Sequence, residues 1–427
     1  MPAVRCVARL LAIFVLLLTA GFAEEPLRPK DVRALAKQGS TAIPQLQELL
    51  KNPDLEIRVE AVKAMVEIGG KDSLTPLIQA TADNDAEVQI RAAEGLVNFY
   101  LPGYVRTGLS ASLRRVGTSI KAKFTDVNDQ VIDSFVEVRP DVIAALGRQA
   151  HAGSSIESRA SAARAVGILR GRGAVDDLIA AIRTKNSEVI YEALVALQKI
   201  RDQSAAPKIA FLLHDLDEKV QIAAIETTGL LQNKDSIPDL MDAIRRARNN
   251  KVRRAALTAI AMLPAEGNRE IYARYLNDKD EGMRAAAAEG YARLRNPADL
   301  AAIETVYKDE EKRAPRLAQA FALVMLGQHE LSEFSPLQLL INTLNSAAYH
   351  GVAGPYLVEA ARDPAVRALL YQGLPNATKD EKIQLAGVLA RSGDQESVPY
   401  LEKLSHDADD QVAQEGLRAL RALRARL

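Results

Sequence analysis

The chain of 427 residues is longer than one compact domain usually is, and its 48% hydrophobic content excludes global disorder. Aromatic residues make up only 4% and tryptophan is absent, so the apolar content is mostly aliphatic, which suits close-packed helices. Basic and acidic residues number 55 each, so the chain as a whole has no electrostatic reason to bind nucleic acid or an anionic membrane.

The first 23 residues have the pattern of a secretory signal peptide. Two arginines precede an apolar run that starts at Leu10, and Gly21 and Ala23 fit a signal-peptidase site. The run is shorter than the ~20 residues that a membrane-spanning helix needs. We expect cleavage before Glu24 and an exported, periplasmic or secreted protein. Cys6 precedes the apolar run, whereas a lipoprotein cysteine follows it, so no lipid anchor is expected.

After a lead-in over residues 24–40, a period of about 31 residues begins. A small residue recurs inside one helix of each unit, with gaps of 31, 70, 31, 31, 32 and 31 residues. These residues are Ala61, Ala92, Ala162, Ala193, Ala224, Ala256 and Ala287. Seven positions before each stands a good helix N-cap: Asp54, Asp85, Ser155, Asn186, Asp217, Asn249 and Asp280.

Each unit has a second predicted helix after a short turn. Segments such as "KDSLTPLIQATA", "QSAAPKIAFLLH" and "KDSIPDLMDAI" begin with polar residues and carry proline in the first turns. One helical hairpin cannot bury its apolar faces alone, but stacked hairpins can. The regular units, residues 41–100 and 140–326, therefore predict an all-α fold, a right-handed α-solenoid of stacked helical hairpins.

The sequence of these units resembles the HEAT-repeat family, especially its short bacterial HEAT-like form. The resemblance is carried by units such as "DEKVQIAAIETTGLLQNKDSIPDLMDAI" and "DAEVQIRAAEGLVNF", and it covers most of the chain from Ile43 to Leu423. It implies a solenoid, and it says almost nothing about a specific activity.

The single gap of 70 residues marks an interruption at residues 101–139. Its length predicts one divergent, helical, repeat-sized insertion with extra loop, in which Asp126, Asp129, Asp133 and Glu137 share one helical face. Before these acids lies a basic stretch with aromatic residues at its entrance. Its candidate partner-binding residues are Tyr100, Tyr104, Arg106, Arg114, Arg115, Lys121 and Lys123. The alternative is a distorted hairpin whose charged faces pair with each other or lie in solvent.

A second, weaker candidate is the basic stretch "RRARNNKVRR". Its basic residues are Arg245, Arg246, Arg248, Lys251, Arg253 and Arg254. They would form an anionic docking patch, or else a solvated turn with local pairs such as Asp242 with Arg246. Beyond it, residues 327–375 keep irregular helical patterning, and residues 376–427 return to regular repeats with a final capping helix.

The sequence carries no recognised catalytic or metal motif. No two of the five histidines share a helix at i, i+4, and no nucleophile elbow, P-loop or dinucleotide fingerprint occurs. The glycine-rich "RGRG" from Arg170 to Gly173 is interpreted as a helix-ending turn. We expect no cofactor and no enzymatic activity.

The leading hypothesis is a non-enzymatic, extracytoplasmic scaffold that binds a protein partner along its concave face. One alternative is a peripheral membrane-associated adaptor that uses the basic segment 104–124, and a membrane surface is not the favoured partner. Another alternative is an enzyme with an unrecognised site. Nucleic acid is not expected as a partner.

Overall fold

The computed structural model describes residues 27–105 and 130–427, and all regular structure within these residues is helical. The helices form two layers. The inner layer consists of α1 (Pro29–Leu35), α3 (Leu55–Ile68), α5 (Ala86–Tyr100), α7 (Ile156–Ile168), α9 (Ser187–Ile200), α10 (Glu218–Leu230), α12 (Asn250–Ala261), α14 (Glu281–Leu294), α16 (Arg313–Met325), α18 (His350–Ala360), α20 (Lys379–Ser392) and α22 (Asp410–Arg424). The outer layer consists of α2 (Ile43–Leu49), α4 (Leu74–Ala80), α6 (Pro140–Ala152), α8 (Val175–Ala181), α11 (Ile237–Arg246), α13 (Arg269–Tyr275), α15 (Leu300–Asp309), α17 (Pro336–Thr343), α19 (Pro364–Gly373) and α21 (Val398–Leu404).

The inner helices begin at the N-cap residues that the sequence predicts. All seven predicted N-caps accept a hydrogen bond from a first-turn backbone N–H. Asp54, for example, accepts from the amide of Glu56 at 2.8 Å. Because these bonds satisfy amides that have no partner inside the helix, they fix the start of each repeat.

Small residues allow successive inner helices to approach closely. All seven predicted alanines are completely buried, and each inner helix packs against the next along the chain. At the contact of α10 with α12, a Cβ built on Gly229 would lie only 2.9 Å from the Cα of Ala259. The prediction of an α-solenoid is confirmed, since neighbouring hairpins share one continuous core.

Arginines hold neighbouring repeats together. The Arg284 guanidinium donates to the backbone oxygen of Asp278 at 2.9 Å and to the Glu310 carboxylate of the next repeat at 2.7 Å. Arg58 makes the equivalent bonds to the Asn52 oxygen and the Asp83 carboxylate, which lie 3.0 and 2.9 Å away. Each such side chain satisfies a free carbonyl in its own repeat and a carboxylate in the next one.

One outer helix differs from the prediction. The segment "QSAAPKIAFLLH" forms two short 3₁₀ helices, Gln203–Lys208 and Ala210–His214, instead of an α-helix. Pro207 lies inside the first of them. Because proline has no backbone N–H and clashes with the preceding turn, it interrupts the α-helical hydrogen bonding at this point.

Residues 101–139 separate, along the chain, two inner helices that are neighbours in the stack. Helix α5 packs directly on α7, and the Gln89 side-chain oxygen accepts hydrogen bonds from the amide and hydroxyl of Ser154 at 2.9 and 3.0 Å. The insertion therefore lies between an inner helix and the following outer helix, α6. The predicted repeat-sized insertion falls mainly on residues 106–129, which lie outside the described residues, so its helical structure there stays a prediction.

The described end of the insertion is not helical. Residues 130–139 contain only a short turn, so the predicted helical face that carries Asp133 and Glu137 is wrong in this part. The stretch is rich in β-branched residues, which have low helix propensity, and the Ile132 amide donates to the carbonyl oxygen of Ile168 at 3.0 Å instead of to its own segment. Asp126 and Asp129 lie outside the described residues.

Candidate functional site

The stack curves around a cavity at the C-terminal ends of its inner helices. The cavity has a volume of about 1800 Å³, and its lining runs from Val131 in the insertion to Arg426 at the end of the chain. Helices α7, α9, α10, α12, α14, α18, α20 and α22, or the turns directly after them, contribute to the lining. Because the lining spans so many repeats, only the curvature of the solenoid brings its residues together.

The lining of this cavity is strongly basic although the whole chain is neutral. It contains ten basic residues: Arg170, Arg172, Lys199, Arg201, Arg293, Arg295, Arg362, Arg391, Arg418 and Arg426. Against them stand three carboxylates, and all three are in ion pairs already. Glu359 contacts Arg293 at 3.0 Å, while Asp133 and Glu415 contact Arg418 at 2.7 and 3.5 Å.

Several of the remaining arginines have no counter-ion. Among residues 27–105 and 130–427, no carboxylate forms an ion pair with Arg170, Arg201, Arg295, Arg362 or Arg391. The Arg201 side chain is exposed, but the surrounding protein partly desolvates it and so lowers its pKa, and the charges of Arg170 and Arg362 lower the pKa further. Partial desolvation likewise lowers the pKa of Arg391, and the Arg201 charge adds to that effect. These guanidiniums therefore face each other across the cavity as uncompensated like charges.

The arginines of the repeats occupy an unusual backbone position. Arg201 and Arg295 directly follow the end of an inner helix, with φ of 57° and 52°. Arg170 and Gln232 lie one residue further from the helix end and have the same conformation, with φ of 48° and 60°. This left-handed conformation costs a residue with a Cβ about 1–2 kcal/mol and is usually left to glycine. All four residues line the cavity, so the strain coincides with side chains that face it.

The insertion and the last helix meet at the rim of this cavity. The Arg418 guanidinium in α22 donates to both carboxylate oxygens of Asp133, at 2.7 to 3.0 Å. Residues that stand 285 positions apart in the chain are thereby joined. Ile132 is buried beside this contact, so residues 131–138 form one wall of the cavity.

The aromatic residues predicted at the entrance of the insertion have structural contacts. The Tyr100 hydroxyl accepts a hydrogen bond from the backbone N–H of Arg139 at 3.1 Å. Tyr104 is half-buried against the core, and this burial raises the pKa of its hydroxyl. The predicted basic residues of the insertion lie outside the described residues: Arg106, Arg114, Arg115, Lys121 and Lys123.

The second basic stretch is largely paired within the outer surface. Arg245 and Arg246 both bind Asp242, at 3.1 and 2.8 Å, as the local-pairing alternative expects. Arg254 binds Asp280 through two hydrogen bonds, and Asp280 also caps α14. Lys251 lies 3.9 Å from Glu218, Arg253 contacts the Tyr275 ring, and Arg248 is exposed. None of these residues lines the cavity.

Sequence reasoning missed the arginine-lined cavity. The "RGRG" stretch does end a helix, as predicted, but Arg170 and Arg172 also line the cavity. The alignment of the repeats contained one indication of this cavity. The position after the inner helix is glycine in Gly69 and Gly327, both with positive φ, yet arginine replaces it in three other repeats.

The described part of the chain contains no group of three or more histidine, cysteine, aspartate or glutamate residues that could hold a metal ion. His329 makes a contact of 3.0 Å between its Nε2 atom and the backbone oxygen of Val324. No helix within the described residues is both long and apolar enough to cross a membrane.

The architecture defines a two-layered α-solenoid that curves around a basic cavity. A family model described as HEAT repeats matches residues 23–97, 143–229, 208–270 and 237–324, which together make up more than half of the chain. The chain therefore belongs to the HEAT-repeat family. No curated protein sequence matches it.

The solved structures that a fold comparison matches to this chain have low sequence identity to it. An engineered protein is 18% identical, with a TM-score of 0.37 over 90% of this chain and 98% of its own. The complex of CpcE and CpcF of phycocyanin lyase from Nostoc sp. PCC7120 is 17% identical, with a TM-score of 0.33 over 75% of this chain and 96% of its own. Importin beta is 12% identical, with a TM-score of 0.49 over 95% of this chain and 63% of its own.

Proposed function

We propose that this protein is an exported, non-enzymatic scaffold that holds a protein partner in the cavity at the ends of its inner helices. The cavity is the observation that carries the proposal. Its volume of about 1800 Å³ exceeds the roughly 300–1,000 Å³ of small-molecule pockets. Repeat solenoids present such extended curved surfaces to other proteins, and each repeat is held mainly by its neighbours.

Export rests on the signal-peptide pattern of the first 23 residues. The arginines before the apolar run and the small residues Gly21 and Ala23 support it. N-terminal sequencing of the natively produced protein should begin at or near Glu24. An intact Met1 on a cytoplasmic product would contradict export, although it would leave the proposed binding surface untouched.

Affinity capture from the native extracytoplasmic fraction tests the binding surface with three matched double charge reversals. One pair lies in the cavity, one on the outer surface and one in the insertion: Arg201→Glu with Arg391→Glu, Arg245→Glu with Arg246→Glu, and Arg114→Glu with Arg115→Glu. Each pair changes the net charge equally. Because reversal at an interface costs several kcal/mol, only the pair in the true surface should abolish capture.

Loss of capture in the cavity variant alone, with an unchanged unfolding midpoint, is the expected result. Loss only in the Arg114 and Arg115 variant would move the site to the insertion, and the same variant should then be compared for binding to anionic liposomes. Equal capture by all variants would refute the proposal that these charged surfaces hold the partner.

A further inference from the structure

The cavity carries a row of positive charges at the period of the repeat. Arg170 and Arg201 stand at the same position of successive repeats, with Gln232 next and Arg295 further on. Packed helices are about 10 Å apart, so equivalent side chains on adjacent repeats are separated by about that distance. Arg362 and Arg391 belong to later repeats on the same lining. The charge of Arg362 lowers the pKa of Arg201, and the charge of Arg201 lowers the pKa of Arg391. Arg170 and Arg201 therefore form a short row along the stack, and Arg362 and Arg391 face it from the opposite wall of the cavity.

Nothing in the described residues neutralises this row. The carboxylates of the lining are bound to Arg293 and Arg418, and the backbone at Arg170, Arg201 and Arg295 adopts a conformation that glycine would accept without strain. Guanidiniums that lack a carboxylate, in a partly enclosed space, bind anions strongly because their paired N–H groups match two oxygens at once. The lining is thus complementary to an anionic ligand.

The other lining residues indicate what kind of anion fits. Partly exposed apolar side chains, such as Val136, Met262 and Val358, lie in the same lining as the arginines. No aromatic side chain lines the cavity in the described residues, although stacking on aromatic rings is the usual way of holding single-stranded nucleic acid. A peptide offers both carboxylates and apolar side chains, whereas a polyphosphate offers only charge.

The spacing also sets a register for such a peptide. An extended chain advances about 3.3 Å per residue, so a step of about 10 Å corresponds to three residues. Residues 106–129 of the insertion are not complementary to the arginines, because they contain five basic and two acidic residues. The acidic ligand is therefore assigned to another molecule.

We infer that the cavity binds an extended acidic segment of the partner protein, with carboxylates three residues apart and apolar residues between. This inference rests on the proposed scaffold function and specifies the partner. Arg170 and Arg201 bind two successive carboxylates, Arg362 and Arg391 contact the same segment from the opposite wall, and the apolar lining contacts the residues between the carboxylates.

Fluorescence anisotropy with labelled twelve-residue peptides tests the inference on the full mature chain. The first peptide has glutamate at every third position with alanine and valine between. The second has the same composition with its four glutamates contiguous, and the third has lysine in place of glutamate. We expect the first to bind at least tenfold more tightly than the second, and the third not to bind.

The key variant is Arg170→Gly with Arg201→Gly, which places at both positions the residue that Gly69 and Gly327 already provide. It should keep or raise the unfolding midpoint, because glycine adopts this conformation without strain, and it should weaken binding of the first peptide at least tenfold. The control, Arg245→Gln with Arg246→Gln, removes two charges from the outer surface and should leave the dissociation constant within twofold.

Equal binding of the first two peptides, or unchanged binding by the glycine variant, would overturn the inference. Displacement of the peptide by polyphosphate or oligodeoxythymidine at lower concentration than by unlabelled peptide would overturn the peptide assignment. If capture of the native partner depends on Arg201 and Arg391 but the acidic peptide does not bind, the inference fails and the scaffold function stands. If the peptide binds as expected but capture is independent of Arg201 and Arg391, the captured partner is held elsewhere, and the proposed function of the cavity fails.

Discussion

Two glycines inside inner helices offer a direct test of the packing. A Cβ at Gly290 in α14 would lie 2.4 to 2.5 Å from three ring atoms of Tyr272, where carbon contacts are normally 3.5–4.0 Å. The ring cannot move aside easily, since Tyr272 is completely buried and its hydroxyl donates to the Ile260 oxygen at 3.0 Å. At Gly387 in α20, only one atom of Arg391 comes within 4 Å, at 3.9 Å.

Both Gly→Ala changes gain about 1 kcal/mol of helix propensity. Overpacking in a rigid core costs about 1–3 kcal/mol, and the overlap of more than 1 Å with the Tyr272 ring places Gly290→Ala at the upper end of that range. We therefore expect Gly290→Ala to lower the free energy of unfolding by about 2 kcal/mol and Gly387→Ala to raise it by up to about 1 kcal/mol.

Urea unfolding followed by circular dichroism measures both values, and the slopes should match the wild type so that the midpoints can be compared. A third variant, Tyr272→Ala, removes the ring, and the added Gly290→Ala change should then recover stability, because its methyl group enters the space that the ring leaves. Shifts of the same sign and size for the two Gly→Ala changes would refute the packing argument.

Three further predictions concern titration and ion pairs. Burial raises the pKa of Tyr272 to about 12, above the ordinary 10.0, so the stability that its neutral hydroxyl contributes is complete below pH 10 and is lost as the pH rises to 12. Between pH 10 and pH 12, the unfolding free energy of the wild type should therefore fall by about 2–3 kcal/mol more than that of Tyr272→Phe, as measured by urea unfolding. Arg284→Ala strands the buried Glu310 carboxylate and should lower the unfolding free energy by about 3 kcal/mol in the same assay. Asp133→Ala removes only the half-exposed pair with Arg418 and should cost less than about 1 kcal/mol, while amide exchange around it should become faster.

The sequence by itself determined the repeat and its local structure. The N-caps, the buried alanines and the hairpin order follow from interactions within about 31 residues, and the caps and alanines recur in the seven regular units. Such short-range regularities are visible in one sequence because capping depends on one side chain and its nearest amides. The two 3₁₀ helices around Pro207 show the limit of this reasoning, since one missing N–H altered an otherwise regular unit.

Only the tertiary structure decided where the charges gather and where the insertion goes. A neutral composition gives no indication that arginines from distant repeats share one cavity, because that depends on the curvature accumulated over the stack. The pair of Asp133 with Arg418 joins residues 285 positions apart, and no periodicity encodes such a contact. Residues 130–139 were predicted to be helical from their spacing, but their amides and apolar side chains find partners on Ile168 and the cavity wall. Long-range contacts of this kind override local propensity because they bury the same groups at lower free energy.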